Sequence, residues 1–328
     1  MRSLKVFTSK NPYPIPYERL WDTLMIDREM VLRDDLEFVS EGFLLIKQEF
    51  EIEGERLVRK ALVVFLNRKD YKFYPHEDVF PEGVKFYREI FKSYPYQFAP
   101  IMGLVDGGNW ISKLREGEKV AEYVHGGIKT EILFTDPIGE IPVEIFIADG
   151  HHRFEALEGD VLFALMDVKD PSLRILPTHR LIKVELADLK GFLEGKKVEF
   201  ASIRSAESMG EILKSGEFPV IIYPGGNGKP IGVIYRGKGE ILMDVPAYIC
   251  DFYIFEGRYE VIAGYYRNWR EVVRWADKEG YIGALVSPTK PMDVIRVAKE
   301  GMKMPRKSTD FYPKLLAGLF YALPSTPV

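Results

Sequence analysis

The strongest constraint on the fold lies in residues 42–65, where two strand-like runs face each other across a turn. Residues 42–50 end in the alternating Gln48-Glu49-Phe50, Glu53-Gly54-Glu55 supplies the turn, and residues 57–65 run back as an apolar strand. This pattern predicts a β-hairpin, so the core begins with antiparallel pairing. Residues 81–93 start on a proline and space Val84, Phe86, Ile90 and Phe91 with charges between them, which predicts an amphipathic helix. Residues 100–105, 131–134, 143–148, 161–168 and 182–186 are short apolar or alternating runs and are expected to be strands.

Beyond residue 187 the pattern changes. A helix is expected over residues 206–214, strands over 220–223 and 231–235, and helices over 269–278 and 291–299. The fold class is therefore α+β: a mixed-sheet domain over residues 1–187, followed by a second, α/β domain over residues 188–328 whose last segment returns to the active site. At 328 residues and 46% hydrophobic composition the chain can bury a large core. No apolar run approaches the roughly 18 to 20 residues of a membrane span, and the expected location is the cytoplasm. The net charge of −4, with both signs interspersed, argues against nucleic acid as a partner. A small molecule is the expected partner. The single cysteine, Cys250, sits among Val245, Tyr248, Ile249 and Phe252 and is expected to be a buried small hydrophobe. Five Asn and two Gln beside abundant charged residues follow the compositional trend of thermophile proteins.

Chemistry concentrates first in Asp149-Gly150-His151-His152-Arg153, directly after the strand at 143–148. Glycine lets the backbone bend, while amide groups and three cationic or donating side chains converge on one place, an arrangement suited to an anion. Two of only five histidines are adjacent here. A metal site at the same loop would need further His or carboxylate ligands. The second cluster is Tyr74-Pro75-His76-Glu77-Asp78, where Glu77 is the expected general base toward a substrate hydroxyl and His76 a substrate contact. A carboxylate here would alternatively hold Mg2+ together with Asp149. The zinc-protease pattern fails, because its second histidine would fall at Phe80. The third cluster, Thr178-His179-Arg180, would bind a carboxylate or phosphate through Arg180. The fourth comprises Arg306, Lys307, Ser308, Thr309 and Lys314, a second anion-competent group in which Ser308 or Thr309 would cap a following helix. Gly225-Gly226-Asn227-Gly228-Lys229 is discounted as a nucleotide loop, because Pro230 stands where Ser or Thr is needed. A hairpin turn is expected there.

In these four clusters the chain resembles the DUF1015 family. The residues that carry the resemblance are His76-Glu77, Pro100-Ile101, Ile147 through Glu155, Ile175 through Ile182, Met304-Pro305, Lys307-Ser308-Thr309 and Phe311-Tyr312-Pro313-Lys314, in the family's order. The resemblance implies a ParB/sulfiredoxin-like fold similar to that of free-serine kinases. It further implies a kinase that phosphorylates the hydroxyl of free L-serine or a similar amino acid, with ATP, ADP or pyrophosphate as donor. Glu77 and Asp149 would be catalytic, Asp149 with Mg2+. Gly150, His151, His152, Arg153, Lys307, Ser308, Thr309 and Lys314 would bind the donor phosphates, and His76, His179 and Arg180 the substrate. A nucleotide-binding regulatory module and a phosphohydrolase of the same fold are the alternatives. Two departures from the family, at Asn11 through Pro16 and in the short stretch between Arg153 and Val161, bear on the acceptor pocket.

Overall fold

The computed structural model describes every residue except 109, 138, 185, 206–207, 227, 237–239 and 325–328, and gives the backbone alone for 186–188 and 190. The chain forms two compact units: Met1–Arg174 with Phe311–Val328, and Ile175–Asp310. The changeover thus falls before the expected boundary near 187, because residues 179–182 pair into the second unit's sheet.

The first unit opens with β1 (Leu4–Ser9), β2 (Ile15–Pro16) and α1 (Tyr17–Ile26). The predicted hairpin follows as β3 (Leu36–Ile52) and β4 (Glu55–Asn67), paired antiparallel from Leu44↔Val63 to Ile52↔Glu55. Its turn places Glu53 and Gly54 at positive φ. Next come β5 (Lys72–Pro75), α2 (Pro81–Ser93), β6 (Ile101–Val105), β7 (Lys119–His125), β8 (Ile128–Thr135) and β9 (Glu144–Asp149). The unit continues through α3 (His151–Ala156) and β10 (Asp160–Asp167), and the chain leaves through β11 (Arg174–Leu176). The large sheet is mixed, with β6·β10 and β5·β9 parallel and the other pairings antiparallel. Leu45, Leu62, Val64, Ile101, Ile145, Ile147, Phe163 and Leu165 form its core with Phe154 from α3. A strand buried on both faces needs a nearly continuous apolar run, and β10 has one, every residue of it being buried.

The second unit holds β12 (His179–Ile182), α4 (Leu186–Leu193), β13 (Val198–Ser202), α5 (Met209–Ser215), β14 (Val220–Tyr223) and β15 (Ile231–Tyr235). After these come α6 (Pro246–Tyr248), running into a π-helical turn at Ile249–Ile254, then β16 (Ile262–Tyr266), α7 (Trp269–Glu279), β17 (Ile282–Val286) and α8 (Pro291–Lys299). Its sheet, in the order β13-β15-β14-β17-β12-β16, is antiparallel throughout, so the unit is α+β rather than the expected α/β. Alternate residues serve two cores: Ile182, Val220 and Ile222 face one, Leu181, Ile221 and Leu285 the other. Cys250 is fully buried, as expected.

The chain returns to the first unit through β18 (Asp310–Tyr312), β19 (Leu316–Ala317) and β20 (Tyr321–Pro324). β20 pairs with β1 at one end of the large sheet. Two local expectations fail. The strand expected at 182–186 ends at Ile182, Glu185 lies outside the described residues, and α4 begins at Leu186. A strand rather than a helix follows Thr309, so Ser308 caps nothing and donates to the Pro305 carbonyl at 2.7 Å. No helix among the described residues is long and apolar enough to cross a membrane.

Candidate functional site

Strands β5 and β9 run parallel, with Pro75 beside Ile147, so both reach their carboxyl ends together. The two strongest sequence clusters, some seventy positions apart, follow those ends directly. His76 fastens them: its Nδ1 donates to the Ile147 carbonyl at 2.7 Å, and its ring meets that of His151 edge-on at 4.7 Å. Its Nε2 lies 3.6 Å from Glu77 Oε1. His76 is completely buried, which closes it to direct contact with a substrate; its ring lies beside Glu77 instead. The Glu77 side chain is one-third exposed, 33%, and can meet a molecule from solvent.

Asp149 ends β9. Its Oδ2 accepts from Lys314 Nζ at 2.6 Å, and its Oδ1 lies 3.9 Å from Arg153 Nη2. Burial pushes the Asp149 carboxyl up, but Lys314, Arg153 and His151 together outweigh it and hold the group below the usual carboxylate value. The chain then bends at Gly150, whose φ of 94° suits glycine and little else. A Cβ there would stand 2.8 Å from Arg153 Nη2. Arg153 is buried, its Cζ 4.3 Å above the Tyr17 ring. Burial works against its charge, while Tyr17, Tyr87 and Asp149 favour it, and the net effect raises its pKa. Among the described residues its Nε and Nη2 meet no hydrogen-bond acceptor. Buried donors of this kind suit an anionic ligand that would complete them.

α3 stays short because Arg68 takes the carbonyls of Phe154 and Leu157, at 3.1 and 2.7 Å, and Gly159 turns the chain at φ 68°. His152 faces α2. Its Nε2 accepts from the Phe80 amide at 3.0 Å, its ring stacks on Phe80, and Gly83 leaves room for it. Burial lowers the His152 pKa, Glu77 opposes and Arg153 assists, and the net shift favours the neutral ring. His152 therefore adds little to the positive charge that Arg153 and Lys314 bring to Asp149.

The structure thus brings Glu77, Asp149, Gly150, His151, His152, Arg153 and Lys314 into one unit. His179, Arg180, Lys307, Ser308 and Thr309 belong to the other. Arg180, expected to clamp a substrate carboxylate, is fully buried and already holds one: its Nε and Nη2 each donate to Asp251 at 2.8 Å. His179 is buried beside it and accepts from the Val286 amide. Tyr17 and Tyr87, which flank Arg153, are not singled out by the sequence; the signal they offer is a buried tyrosine near a basic motif, and that needs the fold.

Asp149 does not fit as a magnesium ligand in this arrangement. One oxygen is occupied by an ammonium and the other faces a guanidinium, so a divalent cation would meet two like charges. No group of three or more His, Cys, Asp or Glu able to hold a metal ion occurs among the described residues.

Residues 25–159 match the family model described as "Protein of unknown function (DUF1015)", a stretch that contains Glu77 and Asp149 to Arg153. Among curated proteins the chain finds no match. Solved structures give remote likenesses. A free serine kinase in complex with AMP is 16% identical, with a TM-score of 0.45, covering 76% of this chain and 86% of that one. A conserved hypothetical protein from Pyrococcus furiosus is 14% identical with a TM-score of 0.45, covering 80% and 95%. SbnI from Staphylococcus aureus, truncated at its C-terminus, is 9% identical with a TM-score of 0.43, covering 78% and 85%. With TM-scores below 0.5, none of these decides what this chain does.

Proposed function

We propose that the first unit, read as ParB/sulfiredoxin-like, transfers a phosphoryl group from ATP, ADP or pyrophosphate to the hydroxyl of free L-serine or a similar small amino acid. The observation that carries this reading is the pairing of two parallel strand ends, one followed by a partly exposed carboxylate, Glu77, the other ending in Asp149 with its two cations, Arg153 and Lys314. Phosphoryl transfer asks a protein mainly for position and charge compensation, and these are what the site offers. Arg153 and Lys314 would take the donor phosphates, with Gly150 letting the backbone approach closely. Asp149 would keep both cations in place before the donor arrives. Glu77 would accept the hydroxyl proton as the acceptor oxygen attacks phosphorus and the bond to the leaving phosphate breaks.

The test is an incubation of the whole protein with each donor and a panel of amino acids, with and without magnesium, followed by detection of phosphorylated product. Phosphoserine is the expected product. Replacing Glu77 by Gln should lower kcat by about 100-fold or more, the usual contribution of a positioned base, while donor affinity measured by calorimetry stays within about twofold. Release of free phosphate with no phosphorylated amino acid would overturn the kinase reading in favour of a phosphohydrolase.

A further inference from the structure

Gln48 and Arg59 are direct partners across the β3–β4 pair, and each is only 1% exposed. Arginine is seldom fully buried unless paired with a carboxylate. Among the described residues, the hydrogen-bond acceptors of Arg59 are all neutral: the carbonyls of Tyr312, at 3.1 Å, and Pro313, together with Gln48 Oε1. Gln48 completes the set, its Nε2 donating to the Lys314 carbonyl at 3.1 Å and to Thr130 Oγ1 at 3.3 Å. Two side chains thus hold three successive carbonyls. Burial pushes the Arg59 guanidinium down to about 9, so this position is costly for a charge, and an apolar pair would fill the same space without that cost. What the buried pair supplies instead is a fixed place for the segment that carries Lys314, whose ammonium stands 2.6 Å from Asp149.

We propose that Arg59 and Gln48 are positioning residues for the site: by holding the carbonyls of Tyr312, Pro313 and Lys314 they set the Lys314 ammonium against Asp149. Neither touches the reacting atoms. The role rests on the reading of Lys314 and Asp149 as parts of a phosphoryl-transfer site.

The experiment observes lysine ammonium groups by nitrogen-15 NMR on the full chain without substrate, with the Lys314 signal assigned by its disappearance in Lys314→Met. The ion pair with Asp149 should give Lys314 a slowly exchanging signal, separate from those of exposed lysines. Arg59→Met, if folded by circular dichroism, should lose that signal, Arg59→Lys should restore part of it, and Gln48→Leu should shift or broaden it. Should Arg59→Met fail to fold, Gln48→Leu decides alone, because it keeps Arg59 and removes the donor to the Lys314 carbonyl. An unchanged Lys314 signal in either folded variant, or no separate signal in the unaltered protein, overturns the proposal. Since no turnover is involved, a protein that phosphorylates nothing would defeat the phosphoryl-transfer reading and leave this result to stand separately.

Discussion

Single residues divide into those whose chemistry shows in the sequence and those whose burial alone gives them meaning. Asp149, Gly150 and Arg153 stand out as a motif, and they do cluster. Arg59 does not stand out, because a charge in an alternating strand is ordinarily a solvent-facing residue. Here the alternation is inverted: Val58 is exposed and Arg59 faces inward, opposite Gln48. No local pattern separates that case from the usual one. The sequence suggests a ligand for His179, but burial gives that residue a different consequence. Burial first, and Arg180 second, lower its pKa to about 3. The folded state therefore refuses a proton that the unfolded chain accepts below about 6.5. Stability from this residue is full above that pH and is lost as pH falls toward 3, at about 1.4 kcal/mol per unit of the interval. Urea unfolding at pH 7.5, 5.5 and 4 should show a steeper acid loss in the unaltered protein than in His179→Asn, which keeps an acceptor for the Val286 amide. Equal pH slopes would refute the assignment.

At the level of elements, legibility follows how local the cause is. The hairpin β3–β4 and helix α2 were legible because a turn glycine, a starting proline and an apolar stripe lie within the segments themselves. The short alternation after Ile182 misled, since three residues of alternating polarity fit a strand end as well as the approach to a helix. Ser308 misled for a similar reason: a hydroxyl near a basic run suits a cap, but the strand after it is imposed by distant partners. The packing of α2 on α3 is another long-range matter, and it turns on Gly83. A Cβ at Gly83 would stand 2.4 Å from His152 Cδ2, while Phe80 holds the imidazole through its amide and its ring. Alanine normally favours a helix by ~1 kcal/mol over glycine, but forcing the imidazole aside should cost ~1–3 kcal/mol. Gly83→Ala should therefore lower the melting midpoint, by calorimetry, and weaken donor binding with it. A midpoint above that of the unaltered protein would show that His152 is free to yield.

For the molecule as a whole, the motif around Lys314 suggests that the last segment returns to the site, but not that this segment belongs to the core of the first unit. After Asp310 the chain returns to the first unit, where Phe311, Leu315, Phe320 and Tyr321 are buried and Lys314 reaches Asp149. Composition could not show this, since a terminal strand that pairs with β1 is as apolar as one that pairs with its sequence neighbours. Losing a large buried side chain costs ~2–5 kcal/mol, so losing four, ~8–20 kcal/mol together, is comparable to the ~5–15 kcal/mol that holds a typical domain together. A chain ending at Asp310 should accordingly lose the cooperative transition of the first unit while keeping that of the second. The converse cut is the sharper test. Joining Arg174 to Phe311 through a flexible glycine–serine linker of about fifteen residues, with an average span of ~20 Å, removes the second unit and leaves every member of the Glu77–Asp149–Arg153–Lys314 group. If the first unit carries its own core, this shortened protein should unfold cooperatively and keep the distinct Lys314 ammonium signal. A non-cooperative melt, or a Lys314 signal merged with those of exposed lysines, would mean that the second unit is needed to build the site.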